Sequence, residues 1–406
     1  MAYTGAPEIV VCGHLCLDII PGFPALEGAH DWFRPGRLSL VGAPVISTGG
    51  AVSNVGLSLH RLGLPVRLVA KIGNDPLGRL IVERVRAMGE NLARGLTRAE
   101  GEVTSYSVVL NPPGIDRIFL HCPGANDTFT DADVSDEVIV GASIFHFGYP
   151  PLMKQIWSDG GLRLERLLAR AKAQGALTSL DMSLPDPSSP SGMIDWAALL
   201  FRVLPRVDVF VPSVEELLFM LDRPGFTRLT GAGGGEEIIR QVTFADLARL
   251  AARAHDAGVS AVLIKLGDRG AYLHTSSRGL AGAAGWASRE LYTPVFSVPK
   301  IAGTVGSGDA TIAGFLASVV RGLGAEEALS LAVAVGGCCV EAPDATSGIR
   351  TWEETRGRVK AGWARRSVEI REPGWRPAEN GVWAGPMDRP QALSYSPESK
   401  TVFPTS

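Results

Sequence analysis

The spacing of apolar residues constrains this chain most. Short, almost wholly apolar runs at residues 9–12, 66–71, 143–147, 176–181, 207–211 and 261–265 alternate with longer amphipathic stretches at 53–62, 77–88, 162–174, 213–221, 244–257 and 310–321. A run that is apolar at every position must be covered on both faces, as a strand inside a parallel sheet is. Strand and helix patterns in alternation give right-handed crossovers. The predicted class is therefore α/β, a central, mostly parallel sheet flanked by helices. A last helical pattern at 325–339 is rich in Ala, Leu and Val. Ligands in such folds lie beyond the carboxyl ends of the strands.

Two stretches break the alternation. Residues 15–48 mix Gly, Pro and polar residues with short apolar pieces, and residues 103–122 place two strand-like runs around Asn111-Pro-Pro-Gly-Ile-Asp116, a hairpin pattern. Together they predict a small β lid that excludes water from a site; a surface hairpin without a role is the alternative. Beyond Thr351 the composition shifts. Trp352, Trp363, Trp375 and Trp383 make up half of the eight tryptophans, and prolines interrupt any helix after Glu372. The predicted organisation is one domain over 1–350, lid included, and an irregular extension over 351–406. Gly231-Ala-Gly-Gly-Gly235 reads as a surface loop and not a phosphate loop, because Glu236-Glu237 follow it.

With 406 residues, 46% hydrophobic and 20% charged, the composition is that of an ordinary globular chain. A net charge of −3 gives no reason to expect nucleic acid or an anionic membrane as partner. No apolar run reaches the roughly 20 residues of a membrane span, and the first residues lack a leader pattern. Five cysteines, an odd number without zinc spacing, suggest reduced thiols and a cytoplasmic location.

Chemistry concentrates at Gly303-Thr-Val-Gly-Ser-Gly-Asp309, which runs directly into the last of the alternating helical patterns. A helix start leaves backbone N–H groups without intrahelical partners, the helix dipole adds partial positive charge there, and anions bind. Asp309 would repel such an anion unless it had a task; taking the proton of an attacking hydroxyl is one. An Asp in the first turn after a Gly turn is the structural alternative. Ser47-Thr-Gly-Gly-Ala-Val-Ser-Asn54 offers close backbone approach at Gly49 and Gly50, and an amide at Asn54 suited to a polyol. In Gly13-His-Leu-Cys-Leu-Asp18, the carboxylate of Asp18 can accept bonds from vicinal hydroxyls. Ser213-Val-Glu-Glu216 matches a capping box, and Glu216 is also placed to hold Mg2+ through water. Gly267-Asp-Arg-Gly270 follows a strand ending at Lys265 and reads equally as a hairpin turn or as the edge of a nucleotide site.

In this order and spacing, these pieces resemble the PfkB (ribokinase-like) family of carbohydrate kinases over about residues 9–349. Leu62-Gly63, Lys71-Ile-Gly-Asn-Asp-Pro-Leu-Gly78 and Gly124-Ala-Asn126 add to the match. The resemblance implies transfer of the ATP γ-phosphate to a hydroxyl of a sugar, with Mg2+, and in many members a homodimer. It implies Asp309 as general base and Gly306, Ser307 and Gly308 as the anion hole. Asp18, Gly49, Gly50 and Asn54 would hold the sugar, Lys265, Gly267, Gly270 and Thr304 the nucleotide, and Glu216 the metal. A nucleoside as acceptor, or a binding protein without catalysis, stands as the alternative. The family's Asp-Thr is Gly303-Thr304 here, which argues against the K+ site of relatives. Its Asn-x-x-Glu begins with Ser213, and the Lys of ribokinases proper is missing from Gly49-Gly-Ala-Val-Ser-Asn54.

Overall fold

The computed structural model describes residues 8–24, 35–36, 38–112, 118–231, 235–280, 283 and 285–389. Part of the 15–48 stretch, the turn of the 111–116 hairpin, most of the 231–235 loop and residues 390–406 lie outside the described residues.

The strands are β1 (Glu8–Gly13), β2 (Cys16–Gly22), β3 (Gly42–Gly49), β4 (Val66–Gly73), β5 (Leu96–Ala99), β6 (Tyr106–Leu110), β7 (Ile118–Cys122), β8 (Ala142–Gly148), β9 (Leu177–Leu180), β10 (Val209–Phe210), β11 (Ala261–Lys265), β12 (Ala271–Thr275), β13 (Glu290–Thr293), β14 (Arg376–Pro377) and β15 (Trp383–Ala384). The main sheet runs β14-β15-β13-β12-β11-β10-β9-β8-β1-β4-β5. From β11 to β5 every pairing is parallel; β12, β13, β15 and β14 continue it antiparallel. The apolar runs explain the centre: Ile9, Val10, Val11 and Cys12 are fully buried, as two-sided coverage requires.

A separate sheet, β3-β2-β6-β7, occupies the place of the expected lid. Its first strand after β1 starts only three residues beyond Gly13, so the lid is tied to the carboxyl end of the main sheet. Two helices, Ser307–Val320 and Ala325–Cys339, are buried almost all round. They pack closely because Gly314 has no side chain: a Cβ there would lie 2.8 Å from Val335 Cγ2. No helix among the described residues is long and apolar enough to cross a membrane.

The segment after 350 is more regular than its prolines suggest. It opens with the helix Trp352–Lys360, capped by the Thr351 and Glu354 side chains, and later contributes β14 and β15 to the main sheet. The expectation of an irregular extension is corrected to that degree. A capping box needs only Thr351-x-x-Glu354, a signal present in the sequence.

Candidate functional site

Five of the parallel strands end at one side of the sheet, and each delivers a polar group there: His14 after β1, Tyr149 after β8, Asp181 after β9, Ser213 shortly after β10, and Lys265 at the end of β11. A cavity of about 840 Å3 opens at this edge, with Tyr149, Glu216, Lys265, Gly267, Gly270, Thr304, Gly306, Ser307, Gly308 and Asp309 among its lining residues.

The Gly-rich turn ends as Gly306 enters the left-handed region at φ 73°. A Cβ there would lie 2.3 Å from Ala345 Cβ, so both conformation and space select glycine. Ser307 opens the helix, but its N–H points back to the Thr304 carbonyl at 3.3 Å. The Ser307 N–H is thus engaged within the turn, while Gly308 and Asp309 occupy the second and third positions of the helix, whose N–H groups have no intrahelical acceptor. Lys265 adds a full positive charge. Its ammonium would lie 4.0 Å from a Cβ on Gly308 and donates to Asp181 Oδ1 at 2.7 Å.

Asp309 occupies the third position of the helix and is only 4% exposed. Tyr149 Oη donates to both its oxygens, at 2.8 and 2.9 Å, and Asn54 Nδ2 donates to Oδ2 at 2.9 Å. Burial pushes its carboxyl above the usual range, while the Lys265 charge and the bonds from Asn54 and Tyr149 oppose that shift. Burial acts likewise on Asp181, pushed up to about 6 against the pull of Lys265. Burial also works against the charge on Lys265, yet Asp181, Glu216 and Asp309 outweigh it and hold the ammonium above its ordinary value. Lys265 and Asp181 thus form a buried ion pair, with Asp181 Oδ2 left without a partner.

Glu216 closes the capping box and also lines the cavity. Its Oε2 accepts from Ser213 N at 2.6 Å while Ser213 Oγ accepts from Glu216 N at 3.3 Å. Burial pushes its carboxyl up to about 8, with Lys265 opposing and Asp181 adding to the shift. No cluster of three or more His, Cys, Asp or Glu side chains among the described residues is set to grip a metal ion. Glu216 and the free oxygen of Asp181 suit an ion that keeps most of its water, as Mg2+ does.

On the lid side, Asp18 lies on β2 and faces Gly49 on β3. A Cβ at Gly49 would fall 2.1 Å from Asp18 Oδ2, and one at Gly50, with φ 86°, 2.5 Å from His14 Nδ1. The paired glycines therefore admit a carboxylate and an imidazole against the backbone. Cys16 Sγ donates to Asp18 Oδ1 at 3.4 Å, and burial pushes the Asp18 carboxyl up to about 6. His14 is buried, with neither ring nitrogen bonded, and its ring lies 5.3 Å from that of His121 and 6.2 Å from that of Tyr149. Burial, reinforced by His121, pulls it down to about 3, so it stays neutral. Asn54 reaches Asp309 from the helix Ala51–Arg61, which starts at Gly50.

Gly267 (φ 53°) and Gly270 (φ 111°) form the turn joining β11 to β12, and both line the cavity. Hairpin turn and cavity wall are one structure. The sequence reading missed Tyr149, His14 and Asp181. Each is the first residue past a strand, the position at which α/β folds place ligands, so the rule that located the site could have named them.

Comparison with known proteins gives a consistent result. Residues 7–352 match the family described as "pfkB family carbohydrate kinase". The chain is similar to fructokinase-1 of Oryza sativa subsp. japonica, at 26% identity over 78% of this chain and 85% of that protein. It is also similar to a ribokinase of Arabidopsis thaliana, at 24% identity over 83% of this chain and 76% of the relative. The solved structure of an Arabidopsis thaliana ribokinase complexed with ribose and ATP shares the fold, with a TM-score of 0.65, 20% identity, and 87% of this chain and 98% of that one covered. A match spanning nearly all of the described fold places this chain in the pfkB family of carbohydrate kinases.

Proposed function

We propose that the chain transfers the γ-phosphoryl group of ATP to a hydroxyl of a sugar or sugar-like molecule, with Asp309 as general base. The observation that carries this reading is the position of the Asp309 carboxylate. It lies in the cavity beside the Gly306–Gly308 turn and is bonded to Asn54 on the opposite, lid-facing side. One group thus touches both the place for a phosphate and the place for its acceptor.

In the proposed reaction the acceptor O–H gives its proton to Asp309 as its oxygen bonds to the γ-phosphorus. The bond from that phosphorus to the bridging β–γ oxygen breaks, and ADP leaves with the electron pair. Phosphoryl transfer asks for positioning and charge stabilisation more than for covalent help. Gly308 and Asp309 N–H groups and the Lys265 ammonium supply stabilisation at the transferred group, and Ser307 completes the turn. Thr304, Gly267 and Gly270 border the nucleotide. Asp18, Gly49, Gly50, Asn54 and the unbonded nitrogens of His14 face the acceptor. Mg2+, when bound, neutralises phosphate charge; Glu216 would hold it through water.

K+ has no part in this reading. A Cβ on residue 303 would lie 2.9 Å from Pro343 O, so a carboxylate side chain there would need the backbone to move. A cytoplasmic location fits the unbridged state of all five cysteines. Self-association through the lid is also proposed, because Leu38, Leu40, Val45 and Leu120 on or beside it are more than half exposed.

The test is ADP release with ATP and Mg2+ across a panel of ketoses, aldoses, sugar acids and nucleosides. Acceptor-dependent ADP release from a sugar is expected. Release with nucleosides alone would move the acceptor class, and nucleotide binding without release on any acceptor would contradict catalysis.

A further inference from the structure

The family match ends at residue 352, yet Arg366, beyond it, lines the cavity. Residues 295–297, on the cavity, pair antiparallel with residues 364–366: Ser297 N donates to Ala364 O at 2.8 Å, Arg366 N donates to Val295 O at 2.9 Å, and Phe296 bridges Arg365. Trp363 stacks on Phe296, with centroids 4.5 Å apart and planes 23° apart, and its indole N–H donates to Ser297 O at 2.8 Å. On the other side of this pair, the guanidinium of Arg365 lies 3.9 Å from the Phe296 centroid and that of Arg358 lies 3.5 Å from the Trp363 centroid. The result is a fixed ladder of rings and cations, and its member Phe296 lines the cavity. Trp363 also packs tightly on the neighbouring helix, where a Cβ on Gly337 would lie 3.0 Å from it.

Arg366 itself lines the cavity and spans to the β11–β12 turn, donating to Asp268 Oδ2 at 2.7 Å and to Asp268 O at 3.2 Å. Its side chain is about half exposed. Such a pair adds little to stability, but it holds a guanidinium, which both stacks on planar rings and donates hydrogen bonds, at the rim of the site.

We infer that the segment 363–366 is a working part of the nucleotide site, with Arg366 a binding residue for the nucleoside end of the nucleotide. This rests on the proposed assignment of the cavity to ATP. The Gly306–Asp309 turn and Lys265 account for the phosphates. The apolar wall built on Val295, Phe296 and Val298 remains for the base, and Arg366 is carried by the strand paired with that wall. The extension thereby makes nucleotide affinity depend on chain outside the family match.

The experiment measures binding of ADP with Mg2+, and of inorganic tripolyphosphate, by calorimetry without acceptor, together with KM for ATP. R366A should weaken ADP about tenfold and raise KM for ATP more than it lowers kcat, while tripolyphosphate affinity holds. W363A should do the same through Phe296; should it fail to fold by circular dichroism, W363F replaces it. Unchanged ADP affinity in R366A overturns the inference. An equal loss of tripolyphosphate affinity overturns it too, by moving Arg366 to the phosphate end. A wild-type chain that binds neither ADP nor ATP overturns the nucleotide reading as well, a result distinct from the other two.

Discussion

The Tyr149 hydroxyl donates to both carboxylate oxygens of Asp309, at 2.8 and 2.9 Å. Tyr149 can do so because it leaves β8 in the left-handed region, at φ 63°, which turns the ring toward the helix that carries Asp309. A non-glycine residue held there stores strain, a feature that clusters at functional sites. The hydrogen bond favours the ionised carboxylate against the burial that disfavours it. Without it, Asp309 holds its proton to higher pH. Tyr149→Phe should therefore move the acidic limb of the pH–rate profile upward by about one unit and lower kcat near neutrality, with recovery as pH rises. A uniform loss at all pH values would show that Tyr149 acts elsewhere than on the ionisation of Asp309.

Lys265 and Asp181 form the buried pair beside the Gly-rich turn. Removing one partner leaves an uncompensated buried charge, a destabilisation of about 3–5 kcal/mol. Lys265→Met should lower the melting temperature and reduce kcat by about 10²–10³-fold. The double change Lys265→Met with Asp181→Asn should restore most of the thermal stability and little of the rate. Recovery of both by the double variant would mean that the ammonium acts only to hold the fold.

Glu216 carries a pH signature. Its carboxyl is pushed by burial to about 8, against 4.5 for the free side chain. Between these values the folded chain keeps the proton and the unfolded chain does not. Stability from this group is present below the lower value and is lost as pH rises through the higher one. Glu216→Gln can still cap Ser213 but has no proton to lose. Its melting temperature should exceed that of the wild type increasingly from pH 5.5 to 8.5, by about 2–4 °C at the upper end, while its rate falls. Mg2+ with ADP should raise the wild-type value more than the variant's at pH 8. Parallel melting curves across this range would contradict the assignment.

The exposed apolar residues of the lid bear on assembly. Leu40 is 78% and Leu120 56% exposed. If copies pair through this sheet, Leu40→Asp with Leu120→Asp should halve the mass seen by light scattering. A monomeric wild type would show that the patch serves something else.

Much of the fold was legible because apolar runs with two-sided burial leave few alternatives. β1, β4, β8, β9 and β11 coincide with them to within a residue or two. β10 is shorter than its run. The backbone on either side still bonds to the neighbouring strands, Asp208 N donating to Thr178 O and Val211 N to Leu180 O, each at 3.0 Å. β14 and β15 are two residues each, below any periodic signal. In the site, Asp309, Gly306 and Gly49 carried the signal of a backbone that must do something unusual. Tyr149 and His14 carry no motif of their own; only their position, directly after the ends of β8 and β1, marks them. Trp363 and Arg366 were hidden for a third reason: pairing with residues 295–297 is a contact across the chain that no local pattern encodes.

The most direct measurement compares single-turnover phosphate transfer by the wild type and Asp309→Asn, at saturating ATP, Mg2+ and the best acceptor of the panel, with ADP affinity measured alongside. The change keeps shape and removes the proton acceptor. Transfer should fall by about 10²–10⁴-fold with ADP affinity within a few-fold of the wild type. Transfer at an undiminished rate in a folded variant would contradict the account of this carboxylate as the base.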